Sequence, residues 1–95
     1  MKKTEKSANG TSFHDVTITT TINDLTRLLG EPTYEDNSGE DKVNVEWICE
    51  TEKGEVVTIY DWKEYETPMG LYHWHIGGHN NLAVARVTRA LRVTA

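Results

Sequence analysis

Two segments of alternating apolar and polar residues, separated by a short turn, constrain the fold of this chain more than any other feature. From Val43 to Glu50, apolar residues occupy every second position, which is typical of a strand with one buried face. Glu52-Lys53-Gly54 then predicts a turn, and Glu55–Trp62 predicts a return strand. We therefore expect an antiparallel hairpin in the middle of the sequence.

Three further elements flank this hairpin. The Thr-rich stretch around Asp15–Thr19 predicts a first strand, and the apolar stripe of Ile22–Leu29 predicts a helix that ends at Gly30. Leu71–Ile76 alternates again and predicts the last strand, and a second helix is expected from Asn80 or Asn81 to about residue 92. The predicted fold class is therefore α+β, in the order β-α-β-β-β-α, with two helices covering an antiparallel sheet.

The composition predicts one small domain that follows a polar tail. Residues 1–12 contain almost no apolar side chains, so we expect a flexible, solvated tail followed by a single α+β domain over residues 13–95. A unit of this size buries a modest core. Because Cys49 is the only cysteine, no internal disulfide can form, and we expect self-association into a homo-oligomer.

The charge balance narrows the classes of partner. The net charge is −5, with 15 acidic against 10 basic residues, and this argues against a nucleic acid polymer as partner. A small phosphorylated ligand remains possible because it needs only a few donors. No segment has the length of a membrane span and no apolar run follows the N-terminal lysines, so we expect a cytoplasmic protein without a membrane partner.

The most informative functional stretch is Tyr72–His79, which holds three of the four histidines and ends in a Gly-Gly step. We expect Gly77 and Gly78 to lie at the junction between the last strand and the second helix. Backbone N–H groups freed by such a step, together with the helix N-terminus, favour a bound anion such as phosphate. His79 lies at the start of this helix and is included in the candidate site.

A second cluster, Tyr60-Asp61-Trp62-Lys63, combines two aromatic rings with a carboxylate and a cation. Alternation places Tyr60 and Trp62 on one face of their strand, and Tyr72 and Trp74 on one face of the last strand. If those faces coincide, the rings form a wall on which a nucleobase can stack. The alternative is that they are ordinary core aromatics beneath the helices.

The close spacing of the histidines in residues 73–79 also suggests a metal site. His73 and His75 share a strand face, His79 follows, and Asp61 could add a fourth ligand. The alternative is that these histidines form hydrogen bonds at the sheet surface. No recognised zinc spacing, paired His-x-Thr/Ser motif or nucleophile motif is present, so we expect no catalytic residues, no metal and no cofactor.

Three arginines, Arg86, Arg89 and Arg92, recur along the second helix. Cations near a helix C-terminus are favourable in themselves, which is the simpler interpretation. The alternative is that one or more of them reaches across a subunit boundary to a phosphate or carboxylate.

The motifs Tyr60-Asp61-Trp62-Lys63 and Trp74-His75-Ile76-Gly77-Gly78, preceded by Asp24–Pro32, resemble a family of small bacteriophage proteins. The resemblance covers about Ile18 to Leu91. It does not include His73, which weakens a metal site and leaves His75 the better candidate. Small phage accessory proteins often act against host defence, and some bind cyclic or ADP-ribose-derived nucleotide signals as oligomers. By analogy, the resemblance implies an anti-defence role in the host cytoplasm.

The leading hypothesis is a non-enzymatic protein that sequesters a small anionic, nucleotide-derived immune signal. The candidate ligand-binding residues are Tyr60, Asp61, Trp62, Lys63, Trp74, His75, Gly77, Gly78 and His79. One alternative is a protein-interaction module that inhibits a host protein or serves virion assembly. The other alternative is a metal-dependent phosphodiesterase.

Overall fold

A computed structural model describes residues 1–35 and 42–94, and within α2 it describes side chains as far as residue 91. Residues 36–41 and the side chain of Arg92 lie outside the described residues. The elements are β1 Lys2–Lys3, β2 Ser12–Thr20, α1 Ile22–Leu29, β3 Tyr34–Glu35, β4 Val45–Glu50, β5 Val56–Tyr60, β6 Tyr72–Gly78 and α2 Asn81–Thr94.

The strands form one antiparallel sheet in the order β1-β4-β5-β6-β2, with β3 pairing the same edge of β4 as β1 does. The central hairpin is in register from Glu46 opposite Tyr60 to Glu50 opposite Val56. β6 lies between β5 and β2 and pairs with both. The α+β fold predicted from the sequence is confirmed. Neither helix in the described ranges is long and apolar enough to cross a membrane.

Both helices pack on the same face of the sheet and form the core with it. Leu25 and Leu29 of α1 and Val84 and Val87 of α2 are buried in one cluster with Ile59. The other members of the buried cluster are Val45, Trp47, Cys49, Val57, Trp74, Ile76, Ala83 and Leu91. Each strand therefore presents one set of alternate side chains to the helices, and the opposite set lies on what we call the open face.

Local sequence determines both ends of α1. The Thr21 hydroxyl accepts a hydrogen bond from the Asp24 backbone N–H at 3.1 Å, which satisfies one of the first free donors of the helix. At the other end, Gly30 has φ 85°, a conformation that glycine adopts without steric penalty, and its N–H donates to Thr26 O. The observed bounds of α1, Ile22–Leu29, are those predicted from the apolar stripe and Gly30.

The first residues of the chain, which the sequence assigns to a solvated tail, contact the edge of the sheet. Lys2 and Lys3 form β1 and pair with Glu50 and Cys49 of β4, and the side chain of Met1 packs against the core. This pairing depends on a strand edge that is distant in sequence, so the polar composition of residues 1–12 gave no sign of it.

The Gly-Gly step differs from the expectation of a strand-to-helix junction. Gly77 and Gly78 lie inside β6, where Gly77 pairs with Phe13 and Thr58 and Gly78 pairs with Ser12 and Val57. Both glycines are buried in a strand that has neighbours on both sides. The expectation that these glycines lie at the end of the strand and offer free backbone N–H groups to an anion is therefore wrong. At the N-terminus of α2, the Asn80 side chain accepts from Ala83 N–H at 2.8 Å.

Close packing explains why β6 carries glycine at position 77. A Cβ atom added to Gly77 would approach the Thr58 hydroxyl oxygen to 2.5 Å, a distance that requires a neighbour to shift. We expect Gly77→Ala to lower the free energy of unfolding by about 1–3 kcal/mol, because overpacking forces a strained rearrangement. Urea unfolding measures this effect.

Gly70→Ala provides the control, since nothing lies within 4 Å of the added Cβ at that exposed position. Combining Gly77→Ala with Thr58→Ala should recover part of the loss, because the hydroxyl that meets the new methyl group is removed. Equal stability of Gly77→Ala and Gly70→Ala would contradict the packing explanation.

Candidate functional site

The open face carries a continuous series of ring contacts, which we call the aromatic row: Phe13, His75, Tyr60 and Trp62. Ring centroids are 4.6 Å apart between Phe13 and His75, 5.6 Å between His75 and Tyr60, and 6.3 Å between Tyr60 and Trp62. Phe13, His75 and Tyr60 come from the three adjacent strands β2, β6 and β5, and Trp62 lies two residues after the end of β5. The row is exposed at both ends, with Phe13 40% and Trp62 38% accessible to solvent.

Strand register brings the middle of this row together. Tyr60 of β5 pairs directly with His75 of β6, and side chains at paired positions lie on the same face of a sheet. The predictions that Tyr60 and Trp62 share a face, and that His75 takes the face opposite Trp74, are consistent with this arrangement. Three of the sequence-predicted site residues therefore meet on the open face.

Phe13 joins the row through an irregularity in β2. Phe13 pairs with Gly77 and Thr17 pairs with His75, so four residue steps in β2 span two in β6. Asp15 lies within this bulge and has φ 60°, in the left-handed region that non-glycine residues seldom adopt. Sequence reasoning missed Phe13 as a site residue because no local signal indicates the bulge that brings its ring to His75.

Two ammonium groups lie close to the Trp62 end of the row. Lys42 Nζ lies 5.7 Å and Lys63 Nζ 5.9 Å from the centre of the Trp62 ring, both within the range of cation–π attraction. Lys63 has φ 56°, and its backbone N–H donates to Lys42 O at 2.7 Å. The hydrogen bond holds this left-handed turn next to the exposed indole, and strained backbone of this kind is frequent at functional sites.

The His75 imidazole is desolvated within the row. Burial lowers its pKa below the ordinary value of 6.5, while the more distant charges of Asp61 and Glu64 act in the opposite direction. The Nδ1 atom is buried and has no hydrogen-bond partner among the described residues. A buried ring nitrogen without a partner carries a desolvation cost, so the ring contacts on both sides of His75 must compensate for it.

Acidic and phenolic groups next to His75 are also affected by burial. Burial raises the pKa of Tyr60, and the Glu46 carboxylate raises it further. Burial raises the pKa of Glu46 as well. Because Glu46 pairs with Tyr60 and Tyr60 pairs with His75, the Glu46 carboxyl lies on the strand next to the phenol and imidazole of the row.

Asp61 supports the site from beneath rather than lining it. Its carboxylate is fully buried and accepts hydrogen bonds from the Asn44 backbone N–H at 2.8 Å, the Asn44 side-chain amide at 2.9 Å and the Val45 N–H at 3.1 Å. These bonds tie the segment after β5 to the start of β4. The expected direct contact of Asp61 with a ligand does not fit this burial, and its role is to position Trp62.

The remaining predicted residues lie away from the aromatic row. Trp74 is buried on the helix side, where its ring meets Trp47 edge-on at 5.7 Å, so the expected wall of Trp74 with Tyr60 and Trp62 is wrong. Gly78 also faces the helices, since an added Cβ would meet Val84 at 3.0 Å. His79 is exposed beyond the end of β6, and its ring lies beside Gly10.

The histidines and Asp61 do not assemble into a metal site. His73 accepts or donates a 2.6 Å hydrogen bond with the Thr19 hydroxyl on the open face, whereas Asp61 is engaged with Asn44. Within residues 1–35 and 42–94, no three histidine, cysteine, aspartate or glutamate side chains are grouped so that they could hold a metal ion.

The buried carboxylate of Asp61 generates a stability prediction. We expect Asp61→Asn to lower the free energy of unfolding by about 1.5–3 kcal/mol, because an amide donor replaces an acceptor opposite the Asn44 side-chain amide. Denaturant unfolding measures this, with Glu66→Gln as the control, an exposed carboxylate in the same connection. If the two variants unfolded at the same denaturant concentration, the supporting role of Asp61 would be refuted.

The lowered pKa of His75 predicts a pH dependence of stability. Because the folded protein holds this proton less tightly than the unfolded chain, the free energy of unfolding should rise with pH from the folded pKa to about 6.5. His75→Gln should flatten the rise. Denaturant unfolding at a series of pH values measures it, and NMR titration of the ring gives the midpoint. A midpoint at or above 6.5 would show that the ring is not desolvated.

Comparison of the chain with protein-family models, curated proteins and solved structures finds no match.

Proposed function

We propose that this protein binds and sequesters a small anionic, nucleotide-derived molecule on the open face of its sheet, without altering it chemically. The observation that carries the proposal is the aromatic row, which ends at an exposed indole with two ammonium groups within 6 Å. A nucleotide combines a flat base with a charged phosphate, and the row offers a partner for each part.

Stacking supports the base-binding half of the proposal. Every nucleobase has a π face, and each base that stacks on an aromatic side chain gains roughly 1–3 kcal/mol. Trp62 and Phe13 each leave more than a third of their surface accessible, so a base can reach them.

Charge supports the phosphate-binding half. Lys42 and Lys63 flank the Trp62 ring and place two positive charges at this end of the row, on a chain whose overall charge is negative. An ammonium is a compact point charge that suits phosphate oxygens, and it strengthens stacking through its attraction to the ring face. In this proposal the phosphate binds to these two lysines and not to the Gly77-Gly78 step.

The biological setting belongs to the same proposal. The motifs around Trp62 and Trp74 resemble those of small phage proteins, so the ligand is a nucleotide signal of host immunity and the protein acts in the host cytoplasm. Self-association into a homo-oligomer belongs to the same proposal, with one site on each subunit.

Trp62→Ala tests the proposal most directly. With a panel of cyclic dinucleotides and cyclic ADP-ribose, we expect at least one to bind the wild-type protein in calorimetry and to be recovered unchanged after heat denaturation. Trp62→Ala should weaken that binding about tenfold or more, since a stacking platform is lost.

Tyr65→Ala is the matched control, because it removes an aromatic side chain from the same connection that is 89% exposed and outside the row. This variant should bind the nucleotide like the wild-type protein. Absence of binding by every nucleotide, or recovery of a cleaved product, would contradict sequestration.

A second candidate function, a protein-interaction module, is favoured by a different observation. The connection between β5 and β6, which also carries Trp62, exposes Tyr65, Met69 and Leu71 at 89%, 74% and 77%. Exposed apolar side chains grouped in this way are typical of protein interfaces. Inhibition of a host protein or participation in virion assembly would then depend on Tyr65 and Leu71, which the nucleotide proposal does not use.

A further inference from the structure

A cleft lined by positively charged side chains lies on the helix side of the molecule, apart from the aromatic row. It is a cleft of about 470 Å³ between the β4–β5 turn and the outer surface of α2. Its walls are formed by the side chains of Met1, Thr51, Glu52, Lys53, Arg86, Arg89 and Ala90. This size falls within the range of small-molecule sites in proteins.

One of its cations is held in place by the protein itself. Arg86 Nη1 lies 2.6 Å from Glu55 Oε1, and the same oxygen accepts a hydrogen bond from the Thr51 hydroxyl at 3.0 Å. The Arg86 hydrogen bond holds the pKa of Glu55 below its ordinary value, so this carboxylate is ionised at neutral pH. The guanidinium is therefore oriented in advance, and its other donors have no protein partner within the described residues.

Two further cations line the cleft and form no salt bridge among the described residues, although the charge of Lys53 also lowers the pKa of Glu55. Lys53 extends from the turn, and Arg89 lies one helical turn beyond Arg86 on α2. Against these three cations stand the ionised Glu55 and the exposed Glu52, which leaves a local excess of positive charge on an acidic protein. An excess of this kind favours an anionic ligand.

The chemistry of the walls defines the class of anion. Guanidinium groups present a planar fork of N–H donors that matches phosphate oxygens, so two arginines favour phosphate over a halide or a single carboxylate. Met1 and Ala90 add apolar surface to the same cleft, and that surface suits the carbon skeleton of an organic molecule. We infer that this cleft binds a small organic phosphate, such as a sugar phosphate monoester, through Lys53, Arg86 and Arg89.

Calorimetric titration of the full chain with ribose 5-phosphate, inorganic phosphate and ribose tests this inference. We expect ribose 5-phosphate to bind more tightly than inorganic phosphate and ribose to give no heat. Binding should weaken as salt is raised, because charge attraction is screened. Arg89→Gln and Lys53→Gln should each reduce the affinity for ribose 5-phosphate about tenfold, as expected for the loss of a charge-assisted contact.

Arg27→Gln is the matched control, since it removes one arginine charge from α1, where Arg27 pairs with Asp24 outside the cleft. It should leave the affinity within about twofold of the wild-type value. Three results would overturn the inference: no binding of either phosphate, an equal loss in Arg27→Gln and Arg89→Gln, or a loss in Lys63→Gln with none in Arg89→Gln. The last result would assign the phosphate to the aromatic row instead.

Discussion

The contact between the indoles of Trp47 and Trp74 is the interaction on which the rest of the structure depends. The two rings meet edge-on in the centre of the core, a favoured arrangement for aromatic pairs. Each also uses its N–H: Trp47 donates to Gly30 O at 2.9 Å and Trp74 donates to Thr20 O at 3.0 Å. Because these carbonyls immediately flank α1, the pair fixes both ends of the helix to the sheet.

This arrangement accounts for the two-sided character of the molecule. Trp47, Trp74 and both helices lie on one face of the sheet. Because side chains alternate along a strand, Tyr60 and His75 lie on the other face. A thin sheet with one buried face thus supplies a rigid platform, and the aromatic row lies on a layer whose geometry is set by the core beneath it. Asp61 links the two sides, since its buried carboxylate is adjacent in sequence to the exposed Trp62.

Local patterns were sufficient for most of the fold. The ends of α1 follow from Thr21 and Gly30, and the central hairpin follows from alternation, because these signals depend on neighbours in sequence. β6 extends through Gly77 and Gly78 because strands on both sides pair with them, and two residues without side chains carry no alternation from which this could be deduced. The pairing of β1 is equally a product of tertiary structure.

The candidate site was predictable only in part for the same reason. Alternation gives two faces to each strand but does not say which faces of neighbouring strands coincide. The register of β5 with β6 decides this, and it joins Tyr60 to His75 instead of to Trp74. The position of Phe13 depends on the bulge in β2, where Asp15 adopts a left-handed backbone conformation. Nothing in the sequence around Asp15 indicates such a bulge.

The hydrogen bonds of Asn44 determine which part of the surface near Trp62 can change in sequence. Asp61 and the carbonyl of Glu64 are both anchored to Asn44, so the chain is fixed on either side of Trp62 before the exposed connection to β6 begins. Insertions, deletions and sequence drift in residues 65–71 can then be absorbed without displacing the indole. Evolution can remodel that protruding loop for new partners while the neighbouring platform keeps its shape.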